Sequence, residues 1–467
     1  MTDTLNRRQT IGWIAAGAAS TLAVPAIAAE KARVFDVHDY GARGDGTTPD
    51  TVAIQKAIDA AAAVGKGAQV VLRAGRKYLI GPVTLKGGID FHLAGDAVLL
   101  VSSKAEDYPD PLAGVLHAMG ADNLTISGTG TIDGRSPEFM VSYDAEGEWW
   151  VPKDFRPRLV VLENCKDLRI RDVTLRQAPS WTVHLVGCQR VLIDHVTIRN
   201  QMDVPNCDGI DPDHCQDVEI RNCHIVCGDD AIVIKATARY PQYGPTRNIV
   251  VRDCVLETQD SGLKIGTETT QDIHDIFFER CEIVQGCRGL CIQLRDQGNV
   301  FNITFRDIRF TARYFSAPWW GRGEAISFTA IPRNADTKLG RIHDVKVQNV
   351  RGRAENSIRI DGHTLGHVSD VTLDNVDVTV DRWSKYPGGV FDNRPTNVAE
   401  GIEKHDTPGI SVRRAERVTL NNCTVRWGDN RRDYFTHALH AENAPGLVNR
   451  GFTGDAAYTN GQAVRID

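Results

Sequence analysis

From Leu124 onward the chain repeats one short theme: apolar residues flanking a central position, two or three polar residues, then a further apolar pair. The copies read Leu168-Arg169-Ile170, Val191-Leu192-Ile193, Val218-Glu219-Ile220, Ile249-Val250-Val251, Ile276-Phe277-Phe278 and Ile303-Thr304-Phe305. Later ones are Val345-Lys346-Val347, Val371-Thr372-Leu373 and Val418-Thr419-Leu420. Their starts lie 23, 27, 31, 27 and 27 residues apart, then 42, 26 and 47, the longer intervals being roughly double or carrying insertions. A period in the twenties, with short strands punctuated by Asn, Asp and Gly, predicts a parallel β-solenoid whose coils bury their apolar faces against one another. Stacked coils sit about 4.8 Å apart, so equivalent residues line up in columns. The expected fold class is all-β, a right-handed parallel β-helix with an N-terminal capping helix.

Ahead of the coils the pattern changes. Thr48-Pro49-Asp50 reads as a helix start with a capping residue and an early proline. Ile54, Ala57, Ile58 and Ala61 then recur at helical spacing, and Gly65-Lys66-Gly67 ends the run. A single amphipathic helix here plugs the open end of the solenoid, where a bare strand edge invites aggregation. The division expected is a cap over 29–100 made of the helix and the first strands of the β-helix, the β-helix proper over 101–430, and a cover without repeat theme over 431–467.

Cysteine placement fits the columns. Cys165, Cys188 and Cys215 fall three residues before their coil's repeat start. Cys223, Cys254, Cys281 and Cys423 fall five after it, where other coils carry Val173, Val196, Ile308, Val350 or Val376. Thiols sharing columns with Val and Ile behave as small buried hydrophobes. The total of 11 is odd, and neither Cys-x-x-Cys pairs nor His partners at ligand spacing accompany them, which argues against a metal cluster.

Composition narrows the function. The chain has 467 residues, 42% of them hydrophobic, with 54 Lys+Arg against 60 Asp+Glu and a formal net charge of −6. This excludes intrinsic disorder and collagen-like structure. Without a basic run it is a poor binder of nucleic acid, and an acidic polymer would need locally concentrated positive charge. Residues 1–28 read as an export address: Arg7-Arg8, an apolar stretch from Ile11 to Ile27, and a small-residue cleavage site at Ala26-Ile27-Ala28. The paired arginines point to the twin-arginine route and a periplasmic or secreted monomer, a retained anchor being the alternative. No other segment approaches the roughly 18 apolar residues of a membrane span.

Carboxylates crowd one part of two successive coils, Asn206-Cys207-Asp208-Gly209-Ile210-Asp211 and Gly228-Asp229-Asp230-Ala231-Ile232-Val233-Ile234-Lys235. Aligning Gly209-Ile210 with Ala231-Ile232 puts Asp208 and Asp230 in one column, with Asp229 beside them. Like charges that close push their pKa values apart, equipping one carboxyl as acid and another as base. Clustered Asp side chains also make calcium cages, so spacing alone leaves hydrolysis and calcium binding both open.

This pattern resembles glycoside hydrolase family 28, the polygalacturonase and rhamnogalacturonan hydrolase group of parallel β-helix enzymes. Asn206-Cys207-Asp208 is similar to the family's Asn-Thr-Asp motif, with Cys for Thr, and Gly228-Asp229-Asp230 to its Asp-Asp motif. The stretch from Phe35 to Gly46 and the turn Thr129-Gly130-Thr131-Ile132-Asp133-Gly134 are similar to other recurring segments of such proteins. The resemblance implies Asp229 as the general acid, with Asp208 and Asp230 activating the attacking water and no metal or other cofactor. Inverting hydrolysis of this kind sets acid and base roughly 6.5–9.5 Å apart. The substrate implied is a carbohydrate polymer or oligosaccharide of pectin type.

The chain departs from the family in the next two coils. Where polygalacturonases carry Gly-His-Gly and Arg-Ile-Lys to hold the galacturonate carboxylate, Ser261 stands for the histidine, Cys291 for the arginine and Gln293 for the lysine. Strand alternation aims Asp211, Val233, Lys264 and Cys291 toward the cleft, and two positions later Asp213, Lys235, Gly266 and Gln293. The expected substrate contacts are therefore Asn206, Asp211, Lys235, Ser261, Lys264, Arg288, Gln293 and Arg295. A charge-neutralising role toward the aspartates is the alternative for the lysines. Trp149-Trp150 and Trp319-Trp320 sit in insertions, where indoles either stack on sugars or simply pack the loops. Glu268 and Glu324 are further acids near the site without an assigned role, and His184 and His214 read as structural. A calcium-dependent polysaccharide lyase and a non-catalytic carbohydrate-binding solenoid remain the other classes compatible with such a sequence.

Overall fold

The computed structural model describes residues 33–467 apart from 111 and 113. The export address read in 1–28, and residues 29–32 of the expected cap, lie outside the described residues. The chain winds as a parallel β-helix whose strands form two long ladders, one of 24 strands and one of 13. A representative coil runs from Gln189–Asp194 through Thr197–Arg199, both in the larger ladder, to Ile210–Asp213 in the smaller one.

The repeat starts occupy a single column. Leu168 pairs with Val191, Val191 with Val218, Val218 with Ile249, Ile249 with Ile276, Ile276 with Ile303, Ile303 with Val345 and Val345 with Val371. Thr372 faces Thr419, which carries the column on to Val418. Four residues after each start the backbone turns left-handed, at Asp172, His195, Asn222, Asp253, Arg280, Asp307, Asn349, Asn375 and Asn422, with φ between 48° and 66°. Asn and Asp dominate this corner because their short polar side chains tolerate the left-handed region best among non-glycine residues. The bend lets the next short strand of the coil continue in the same ladder at a new angle.

Inside, like stacks on like. Phe278 and Phe305 lie 4.8 Å apart at 10°, and Phe305 meets Phe328 at 5.7 Å. All the cysteines are free and buried, and Cys188 Sγ points at the Leu162 carbonyl 3.1 Å away. The seven placed in columns pack in the main interior cluster as small apolar groups, while Cys287 packs against Tyr314, Phe315 and Trp319, and Cys291, expected to face the cleft, is buried.

The cap helix, α1, spans Thr51–Val64 and buries Ile54, Ala57, Ile58 and Ala61. Its start differs from the expectation. Pro49 closes the preceding strand Asp45–Pro49 rather than entering the first turn. Asp50 occupies the N-cap position without a side-chain cap bond, because its carboxylate instead accepts from the backbone N–H of Arg43 at 2.7 Å and of Gly44 at 3.0 Å. Gly65, at φ 84°, ends the helix and donates to the Ala61 and Ala62 carbonyls.

The ladder already includes strands of the cap region and continues beyond residue 430. Arg33–Asp36 already pairs with Ala68–Leu72, which pairs with Ile89–Leu93. At the far end Leu439–Glu442 pairs with Ile410–Arg413, Val464–Ile466 with Leu439–Glu442, and Val448–Arg450 with Thr419–Asn421. These last strands are short and carry few β-branched residues, so the pairing rests on backbone hydrogen bonds that leave little trace in the sequence. Among the described residues no helix is long and apolar enough to cross a membrane.

Phe305 is the middle ring of the interior stack, so Phe305→Ala should cost about 3–5 kcal/mol by opening a cavity that the neighbouring coils cannot close. A fall in the urea midpoint at unchanged slope is the expected result.

Candidate active site

The site forms where successive coils enter the smaller ladder. Ile210 pairs with Ile232, Ile232 with Leu263 and Leu263 with Leu290, the register that the sequence alignment predicts. One residue before Ile210 and Ile232, the backbone N–H of Gly209 donates to the Asp230 carbonyl at 2.9 Å and that of Ala231 to the Ser261 carbonyl at 2.9 Å. The column at this corner therefore reads Trp181, Asp208, Asp230, Ser261, Arg288 and Glu324. Gly228 permits the turn before it, since a Cβ there would lie 2.2 Å from the Val204 carbonyl oxygen.

Asp208, Asp229 and Asp230 converge, each offering an oxygen within 4.8 Å of the others. Asp229 is oriented by its neighbours: its carboxylate accepts from the Asn206 N–H at 3.1 Å and from the Asp230 N–H at 2.9 Å. Asp230 meets Lys264 Nζ at 2.6 Å, and Lys235 Nζ stands 4.0 Å from Asp208, 3.8 Å from Asp211 and 3.3 Å from Glu268.

Burial and mutual repulsion set the charges. Burial first, then the Asp208 and Asp230 charges, push the Asp229 carboxyl up to about 7. Burial, reinforced by Asp211, drives Asp208 well above the carboxylate range, and burial with Asp230 does the same to Asp260. Burial also acts on Glu268, but Lys235 and Arg333 outweigh it and hold that group at about 2. Lys235 and Lys264 stay protonated against burial, the former because of Glu268 and Asp208, the latter because of Asp230 and Asp260.

These groups line a cavity of about 320 Å³ together with Asn206, Trp181, Trp149, Trp319, Trp320, Pro205, Pro318, Asp260, Thr267 and Glu268. Its upper wall comes from insertions. An antiparallel hairpin, Met140–Asp144 with Trp149–Pro152, brings Trp149 edge-on to Trp319 at 6.1 Å. Ser316 Oγ donates to the Gly147 carbonyl at 2.6 Å, and Glu148 is held by Lys385 and by the Tyr386 hydroxyl. Trp150 is not part of the cavity lining and meets Tyr143 edge-on at 5.3 Å.

The structure brings six of the expected residues to the cavity: Asn206, Asp208, Asp229, Asp230, Lys235 and Lys264. Five others do not line it. Asp211 is fully buried, neither carboxylate oxygen has a hydrogen-bond partner, and burial raises it to about 8. Ser261 lies behind the acids, its N–H on Asp230 at 3.3 Å and its hydroxyl on Asp260 at 2.9 Å. Arg288 is enclosed among Asp260, Glu324 and Asp392 at 3.6–3.9 Å. Arg295 is spent on the Leu294, Thr329 and Asn393 carbonyls, and Gln293 donates to the Arg394 carbonyl at 3.2 Å. Strand alternation predicts direction, but residues 392–394 of a distant loop meet Arg288, Gln293 and Arg295, while neighbouring coils enclose Asp211 and Ser261.

Asp260, Trp181 and Thr267 escape the sequence reading, and Glu268 acquires a place there. Asp260 stands one residue before the acid column, in the position of Asp229, and Trp181 stands in the column itself, so both were findable by extending the alignment one coil each way. Glu324 is buried and accepts from the Arg322 N–H at 2.6 Å, outside the cavity lining. His184 is sealed between Arg158 and Asp213, burial drawing it down to about 4, and His214 bridges the Gly244 and Thr237 carbonyls. Both are structural in their contacts.

The three aspartates offer oxygens to a cation, yet calcium takes six to eight such ligands. Here the Lys264 and Lys235 ammonium groups stand against the same carboxylates and supply the compensating charge.

The sequence profile of Glycosyl hydrolases family 28 matches residues 65–387. A probable polygalacturonase of Vitis vinifera is 31% identical over 286 residues, covering 55% of this chain and 56% of that one. An exopolygalacturonase of Zea mays is 27% identical, covering 50% and 61%. The chain thus spans about half the length of the curated relatives it matches. Among solved structures, the family 28 exopolygalacturonase of Yersinia enterocolitica superposes with a TM-score of 0.64 at 18% identity, covering 90% of this chain and 78% of that one. The exopolygalacturonase of Thermotoga maritima gives 0.62 at 20% identity, covering 84% and 92%. These two likenesses establish the fold. With the profile extending over more than half of its length and across the acid column, the chain belongs to glycosyl hydrolases family 28.

Proposed function

We propose that the protein is a glycoside hydrolase acting on pectin-type poly- or oligosaccharides with inversion at the anomeric carbon. The observation that carries this is the trio of carboxyls in one cavity, with one of them, Asp229, titrating near neutrality. A neutral carboxyl donates its proton to the glycosidic oxygen as the bond to the leaving sugar breaks. Asp230, in contact with the Lys264 ammonium, is the carboxylate suited to take a proton from water. Asp208 presents a buried oxygen without a protein partner on the same side, and one water can bond to both carboxyls across a gap of 4.8 Å or less. The proton balance closes, since Asp229 loses one and the base gains one per bond cleaved.

Family membership and the names of the relatives, polygalacturonase and exopolygalacturonase, support the pectin-type substrate. Arg7-Arg8 and the apolar stretch behind them support export by the twin-arginine route, and the enzyme acts as a monomer on carbohydrate outside the cytoplasm.

Asp229→Asn should lower kcat by about 10²–10⁴-fold while retaining oligosaccharide binding, the usual size of a general-acid contribution. NMR of the first product should show the inverted anomer; retention, or unsaturated products absorbing in the near ultraviolet, would overturn the mechanism. Since Asp229 must be protonated and titrates at about 7, kcat/KM should fall roughly tenfold per pH unit above that point. Chelation by EDTA should leave the rate unchanged, because the lysines and not a metal balance the carboxylates.

A further inference from the structure

We infer that the sugar unit seated in the cavity is uncharged, so that the enzyme discriminates against a free uronate at the bond it cleaves. The inference rests on the hydrolase reading for its chemistry, but its evidence is the charge and engagement of the groups around the cavity.

The lining carries five acids, Asp208, Asp229, Asp230, Asp260 and Glu268, against two lysines. Neither lysine is idle. Lys264 is fully engaged with Asp230 at 2.6 Å, and Lys235 is shared among Glu268, Asp208 and Asp211 at 3.3–4.0 Å. A carboxylate entering this space can recruit an ammonium only by drawing it from the carboxyl that it already meets, Asp230 for Lys264 and Glu268 for Lys235. For Asp230, which is buried, losing Lys264 would leave a charge without its partner, which is strongly unfavourable in a desolvated site.

The surrounding guanidinium groups do not relieve this. Arg288 and Arg295 are fully buried outside the lining, and Arg322 and Arg394 are paired with Asp392. Arg156 spends its donors on the Pro179 and Pro205 carbonyls and on Asn206. The two outward positions of the next coil, Cys291 and Gln293, are uncharged and buried.

The walls are instead aromatic. Trp181 lies beside Lys235, its ring centroid 4.7 Å from Nζ, and Trp320 stands 5.8 Å from Lys264 Nζ, with Trp149 and Trp319 closing the top. Indole faces meet the C–H faces of sugars, a contact that needs no charge on the ligand. Arg158 stacks 4.1 Å from the Trp181 centroid, outside the cavity lining and without a carboxylate partner among the described residues. A charged neighbouring unit of the same chain can therefore be met there while the unit in the cavity stays neutral.

The test compares ligands that differ only in charge. A trigalacturonate as the free acid, the same trimer fully methyl-esterified, and a pectic oligosaccharide ending in rhamnose are titrated calorimetrically into Asp229→Asn at neutral pH. This variant takes a carboxyl out of the lining without adding charge. The uncharged forms should bind at least about tenfold more tightly than the acid. Equal affinities, tighter binding of the acid, or no binding of any of the three overturns the inference. Turnover by the unaltered enzyme, followed as new reducing ends, is read in parallel. Absence of reducing ends with the binding preference intact would overturn the hydrolase reading and leave the charge preference standing. Preferred binding and cleavage of the free acid would overturn only the present inference.

Discussion

The backbone ladder between coils is the constraint on which everything else hangs. Parallel pairing fixes neighbouring strands at about 4.8 Å, and it does so whatever the side chains prefer. At the corner of the smaller ladder this holds Asp208 directly beside Asp230, with Asp229 bent in by the N–H groups of Asn206 and Asp230. Two like charges at such a distance repel by roughly 3–4 kcal/mol at an effective dielectric of about 20. The sheet absorbs that repulsion through many hydrogen bonds, and the carboxyls respond by keeping protons. A group that is acidic by composition thereby becomes a proton donor near neutrality.

Lysines complete the arrangement from the next columns. Lys264 comes from the coil after Asp230, and Lys235 from the coil after Asp208, so each ammonium reaches back across one rung to a carboxylate. The result is a cluster whose members hold unequal protonation without a bound ion. Glu268 and Asp260 enlarge the same network, one held ionised by Lys235 and Arg333, the other kept neutral by burial and Asp230.

Scaffold and specificity have separate origins in this molecule. The coils deliver acids and lysines at fixed positions, whereas the aromatic walls belong to insertions that interrupt the repeat. Trp149 arrives on a hairpin, Trp319 and Trp320 on a loop, and the two insertions are fastened to each other and to the 381–394 segment through Gly147, Glu148, Ser316 and Tyr386. Loop contacts of this kind lie outside the ladder, so they shape the cavity without bearing on the pairing of the coils.

The sequence by itself determined the scaffold and the acid column. Apolar residues at a fixed period can be buried only by stacking, so the column from Leu168 to Val418 and the neighbourhood of Asp208 and Asp230 followed from counting. The ends were illegible because strands such as Val448–Arg450 and Val464–Ile466 are held by backbone pairing, which side chains do not announce. Only the tertiary structure decided which outward-pointing residues reach the cavity. Arg288, Gln293 and Arg295 come from the expected strands yet are met by residues 392–394 of a loop distant in sequence, a relation that no local pattern encodes. The same folding of distant loops seats Trp320 beside Lys264 and leaves Arg158 beyond Trp181, because insertions are positioned by contacts with one another and not by the period of the coil.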